Sequence, residues 1–160
     1  TGKPVFIAAL DTRWNFRRCV GVETLPGLHE AATSTLRRMG DGTLGREGQE
    51  AAKKVHLELG DMLQWDWSDA DVVYTSSICF ADELMAELSE LARRLKPGAR
   101  FMTLKVLPNY EGYFFIKSQE WYKMSWGRIN VYVMERTPFD YPYNGHRKEL
   151  AEGGMSYIAS

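Results

Sequence analysis

Cys19-Val20-Gly21-Val22-Glu23 is a short apolar run closed by a carboxylate, and Leu57-Glu58-Leu59-Gly60-Asp61-Met62 repeats the arrangement farther along the chain. Read as consecutive strands, the two runs decide the fold. In open α/β sheets, ligands bind in the crevice beyond the carboxyl ends of the strands. Glu23, closing one strand, is placed to accept hydrogen bonds from a ribose diol. The turn after the next strand can hold an adenine, with Asp61 taking the exocyclic amine and Met62 lying against the ring. The pair points to an adenosine-containing cofactor. Each residue also has a plainer reading. Glu23 could be a surface carboxylate, and Gly-Asp favours tight turns whatever it binds.

The remaining composition narrows the class. With 160 residues the chain suits one domain with one sizeable core, and 44% hydrophobic with 26% charged residues is a globular balance. A net charge of −1 offers no electrostatic case for nucleic-acid binding. Cys19 and Cys79 both stand in apolar context, which predicts buried thiols and a reducing, intracellular setting without disulfides. No apolar run reaches the roughly 18 residues needed to cross a bilayer, so no membrane partner is expected. His29, His56 and His146 show neither metal-ligand spacing nor a partnered nucleophile, and no metal is expected.

Along the chain, helix and strand alternate. Residues 5–10 read as a helix with Pro4 in its first turn, because eight residues are too few for a parallel crossover to Cys19. A hairpin with 5–10 as a strand stays open. The helical reading places a first strand, and most of a glycine-rich loop, upstream of Thr1. Residues 26–39 should be helical, with Leu28, Ala31, Ala32, Thr35 and Leu36 inward, and 40–48, with four glycines, a loop. A short helix over 49–54 leads to a strand at 55–59. Residues 71–75 read as a central strand covered on both faces. Leu84, Leu88, Leu91 and Leu95 recur at helical spacing over 82–95. Lys96-Pro97-Gly98 stops that helix, and 101–107 returns as a strand. The runs 113–116, 123–126 and 129–135 are strand-like with no long helix between them. The expected fold is α/β, a Rossmann-like three-layer sandwich with a mostly parallel sheet and a C-terminal antiparallel hairpin.

Thr1-Gly2-Lys3, Gly21-Val22-Glu23, Gly60-Asp61 and Lys96-Pro97-Gly98-Ala99-Arg100 together resemble a seven-strand S-adenosylmethionine-dependent methyltransferase. Two further stretches narrow the likeness: Val72-Val73-Tyr74-Thr75-Ser76-Ser77-Ile78-Cys79-Phe80 before Ala81-Asp82-Glu83-Leu84, and Ser125-Trp126-Gly127 with Tyr132. They are similar to the Disruptor-of-telomeric-silencing (non-SET) histone lysine methyltransferases, up to about Arg136. The resemblance implies one methyltransferase domain over 1–138 and a tail over 139–160. It implies S-adenosyl-L-methionine held by Thr1, Gly2, Glu23, Asp61, Met62 and Ser76. It also implies a substrate channel lined by Phe80, Trp126 and Tyr132, a histone or nucleosome as protein partner, and a nuclear location if the substrate is a histone or a cytoplasmic one otherwise. Departures are equally specific. Ser76 and Ser77 stand where the family usually carries Asn, the family's upstream catalytic loop has no counterpart here, and the tail matches no known pattern.

Blander roles compete here too. Ser76 and Ser77 could cap the helix at Asp82 or bond locally. Phe80, Trp126 and Tyr132 could be core, as aromatics usually are. Cys79 lacks an activating His and reads as a core thiol rather than a nucleophile. The alternatives to lysine methylation are methylation of a non-histone protein or small molecule, and a cofactor-binding module without turnover.

Overall fold

Pro4 sits in the first turn of a helix, α1 (Lys3–Leu10), so the chain reaches β1 (Cys19–Glu23) without a strand crossover. The computed structural model describes residues 2–124 and 127–138. They fall into two units, one within Thr1–Asp66 and one within Trp67–Ser160.

The first unit continues with α2 (Pro26–Gly40), α3 (Gly45–Ala52) and β2 (Val55–Leu59). β1 and β2 pair in parallel from Cys19↔Val55 to Glu23↔Leu59. Gly21 is where α1 meets the sheet: a Cβ there would stand 3.2 Å from the Leu57 side chain and 3.4 Å from Val5. Gly2 precedes α1 at φ +71°, and a Cβ there would come within 2.9 Å of the Phe6 ring. Only glycine meets both conditions without strain. Val5, Phe6, Ala9, Cys19, Ala32, Met39, Ala51 and Val55 form the core. Burial also pushes the Cys19 thiol pKa up.

Two expectations change in this unit. α2 turns Ala32, Leu36 and Met39 toward the core, whereas Leu28 and Ala31 lie outside. The inner face is set by where α3 and β2 lie against α2. The glycine-rich stretch is helical from Gly45. Gly48 is buried where α3 lies against α2, and a Cβ there would make only ordinary contact with Leu44 and the Met39 backbone.

The second unit holds β3 (Val72–Thr75), a 3₁₀ turn (Ser77–Cys79), α4 (Asp82–Ala92), β4 (Arg100–Thr103), β5 (Phe114–Met124) and β6 (Gly127–Arg136). Its sheet runs β3-β4-β6-β5, with β3–β4 parallel and β4–β6 and β6–β5 antiparallel. The described strands therefore form a two-stranded parallel sheet and a four-stranded mixed sheet, not one mostly parallel sheet. The apolar runs near the C-terminus make two strands: β6 joins β4 antiparallel, and β5 pairs antiparallel with β6 at the edge of the sheet. The expected C-terminal hairpin is present. α4 buries Met85, Leu88, Ser89 and Ala92, a seam one residue off the leucine repeat at several positions. In β3, Tyr74 is exposed, so this strand is not covered on both faces.

Between Ile116↔Met134 and Ser118↔Val133, β5 advances two residues while β6 advances one. The extra residue is a β-bulge, which moves all later β5 side chains to the opposite face. No helix among the described residues is long and apolar enough to cross a membrane.

Candidate functional site

In the first unit, the C-terminal ends of β1 and β2 lie side by side: Glu23 is opposite Leu59, and the Gly60 N–H donates to the Glu23 carbonyl at 3.0 Å. Glu23 and Asp61 therefore come off the same edge of one parallel pair, with Met62 next in sequence. All three are half-buried. Glu23 Oε1 accepts the Leu25 N–H at 3.0 Å, which fixes the turn from β1 into α2. Asp61 Oδ1 accepts the Leu63 N–H at 2.9 Å, and Gln64 N–H reaches the Asp61 carbonyl at 3.0 Å. The turn-forming role of Asp61 is thus realised. Its carboxylate is held in a fixed direction, as a recognition group would need to be. A concave surface of this unit lies elsewhere: an open groove lined by Leu36, Gly40, Gln49, Glu50, Ala52 and Lys53. It sits at the C-terminal end of α2, the end far from Glu23.

In the second unit, Ser76 is exposed while Ser77 is fully buried. Ser77 Oγ accepts the N–H groups of Leu104 and Lys105 at 3.1 and 3.0 Å and lies 2.7 Å from Thr103 Oγ1. Thr103 donates its hydroxyl proton to the Lys105 carbonyl at 2.8 Å, so Ser77 is the donor between the two hydroxyls. Thr75 adds a 3.4 Å bond to Thr103. This polar cluster pins the chain leaving β4 against the 3₁₀ turn leaving β3. Lys105 Nζ reaches back to the Phe80 carbonyl at 2.6 Å and lies 3.9 Å from Asp82. Phe80 and Tyr132 are half-buried, and Tyr132 pairs with Thr103. Both therefore stand at the C-terminal edge of β3–β4.

Ser77 neither caps α4 nor bonds only within its own turn, as its plainer reading held; α4 starts after Ala81 with no side-chain cap. Cys79, expected in the core, is exposed; the strand ends at Thr75, and the tight 3₁₀ turn carries Cys79 out to the surface. Gly2 is described, whereas Thr1, Trp126 and the tail over 139–160 lie outside the described residues. Sequence reasoning missed Lys105 and Thr103. The available signal was a hydroxyl residue ending each of two strands, Thr75 and Thr103, which the register places opposite each other.

No protein-family model matches the chain. It is 26% identical over 145 residues, 88% of its length, to a Dictyostelium discoideum protein named as a histone-lysine N-methyltransferase specific for lysine 79 of H3. The chain spans 7% of that protein's length. Among solved structures it is similar to a Streptococcus pneumoniae protein provisionally assigned as a tRNA (m1A22) methyltransferase. The TM-score is 0.61, with 11% identity, over 96% of this chain and 69% of that one. The chain has the fold of an S-adenosylmethionine-dependent methyltransferase.

Proposed function

We propose that the chain is a methyltransferase domain over 1–138 that binds S-adenosyl-L-methionine and methylates a lysine of a protein, histone H3 being the model acceptor. The observation that carries the reading is the pair of carboxylates, Glu23 and Asp61, leaving neighbouring ends of one parallel pair. They suit a nucleoside: Glu23 accepts from the ribose hydroxyls, Asp61 from the adenine amine, and Met62 packs on the ring. In this reading Thr1, Gly2 and Ser76 are the contacts for the methionine end. A Rossmann-like three-layer sandwich is the arrangement this reading requires.

When bound, the cofactor supplies a methyl group on a sulfonium. The protein's work is alignment, worth about 7–11 kcal/mol at most. A lysine amine attacks only when neutral, although its free pKa is about 10.4. Phe80, Trp126 and Tyr132 line the acceptor channel in this reading. Their rings strip water from the ammonium, which favours the neutral amine, and their faces accommodate the positive charge that moves toward nitrogen. Support for lysine as the acceptor is the sequence similarity to the lysine-79 enzyme. A nuclear location follows if the acceptor is a histone. The solved relative is named for a tRNA base, so an RNA acceptor is the competing reading.

The test has two stages. S-adenosylmethionine at 100 times its dissociation constant should stabilise the chain by about 2.7 kcal/mol, and NAD should not. Glu23→Ala should weaken methyl-donor binding by about 1.5–3 kcal/mol, measured by calorimetry; unchanged affinity removes the ribose role. Tritiated donor is then offered to nucleosomes, free histones and bulk tRNA. Label on histone supports the lysine reading, label on tRNA replaces it, and binding without label on any acceptor leaves a cofactor-binding module.

A further inference from the structure

The β5–β6 hairpin carries surface that cofactor binding does not use. β4 stops at Thr103, opposite Tyr132, so residues 128–131 of β6 and their β5 partners extend past the end of β4. In this extension Lys123 pairs with Arg128, Trp121 with Asn130 and Gln119 with Tyr132. Alternation along each strand puts all six side chains on one face. Glu120, bonded to Tyr122, and Glu135, bonded to Lys117, belong to the other face. The first face is thus cationic without a carboxylate among these residues. Trp121 on it is 61% exposed, with the Arg128 guanidinium 5.9 Å from its ring centroid.

Like charges directly opposite each other weaken strand pairing. Among the described residues, neither Lys123 nor Arg128 forms an ion pair that would relieve this. An anion laid across them does so. An acidic peptide would satisfy the charge but leave the open indole unused. A nucleotide satisfies both, with phosphate on the cations and a base on the ring, and the exposed amide of Gln119 offers a donor and an acceptor to a base edge. A duplex hides its base faces, so the match is to an unpaired strand.

We propose that this face, running roughly 13 Å from Tyr132 to Arg128 at strand spacing, binds single-stranded nucleic acid, with a base stacked on Trp121. The proposal does not rest on the lysine assignment or on methyl transfer. Fluorescence anisotropy of the full chain, without methyl donor, is measured with short labelled single-stranded RNA and DNA, the matching duplex, and a labelled polyglutamate peptide. Single strands should bind more tightly than duplex or peptide. Trp121→Ala should weaken binding by about 5- to 150-fold, and Trp121→Phe should restore most of it. Lys123→Ala with Arg128→Ala should flatten the slope of log affinity against log salt by about 1.4. Tyr122→Ala, on the opposite face, should leave binding unchanged, and circular dichroism melts matching the parent chain certify that the variants fold. Failure to bind single strands, equal binding by Trp121→Ala, or peptide binding with the same dependence on Trp121 each overturns the proposal.

Discussion

Ser77 shows how much one hydroxyl can organise. Its fully buried oxygen accepts two backbone N–H groups, and its proton goes to the equally buried Thr103. Ser77→Ala would leave those two donors buried without an acceptor, and such groups cost about 1–3 kcal/mol each. A loss of stability of that order is expected in urea unfolding, together with faster hydrogen exchange at Leu104 and Lys105. Ser76→Ala, at an exposed position, should change stability little. The contrast was not legible in the sequence, where the two serines are neighbours of the same type. Their difference arises from the register Thr75↔Thr103, a pairing across 28 residues. Glu23 and Asp61 were legible, because a strand's last residue is fixed by its own local pattern and parallel strands bring such ends to one edge.

Among elements, β2 emerges with the expected boundaries, while α2 and β5 do not behave as their periodicity suggests. A short strand is bounded by local turn chemistry. The buried face of α2 depends on α3, and no pattern within α2 encodes where α3 will lie. The long strands are joined by Glu135, which pairs with Arg100 on β4 and Lys117 on β5. Partial burial of Glu135 pushes its pKa up, but the two cations outweigh this and the net shift is downward from about 4.5. A depressed carboxylate stabilises the fold above its unfolded pKa, and that contribution is lost as pH falls through the folded value. Stability should therefore decline on acidification from pH 4.5 downward. Glu135→Gln should make the decline shallower, as read from urea midpoints across the acid range; an identical profile would show that the triad contributes nothing.

For the whole molecule, the α/β class and the closing hairpin were legible, and the division of the described strands between two sheets was not. Strand existence follows from local hydrophobic pattern, whereas sheet membership depends on which distant strands pair. Charge operates at the same scale. With a net charge of −1 and an isoelectric point near 6.3, the chain has little self-repulsion close to neutrality. Proteins without net charge associate more readily. Light scattering should peak near pH 6.3 and fall by about pH 8.5, where the net charge is more negative. A flat profile across that range would mean that surface charge does not govern solubility here.

The bulge at Lys117 sets the aim of the hairpin's outer half. Were Lys117 instead taken into the ladder opposite Val133, β5 would slide by one residue: Glu120 and Tyr122 would come opposite Asn130 and Arg128 on the cationic side, and Trp121 would cross to the other. The same strands would then present a neutralised surface, so whether this one residue stands outside the ladder decides which face the hairpin offers a partner, without altering any contact residue.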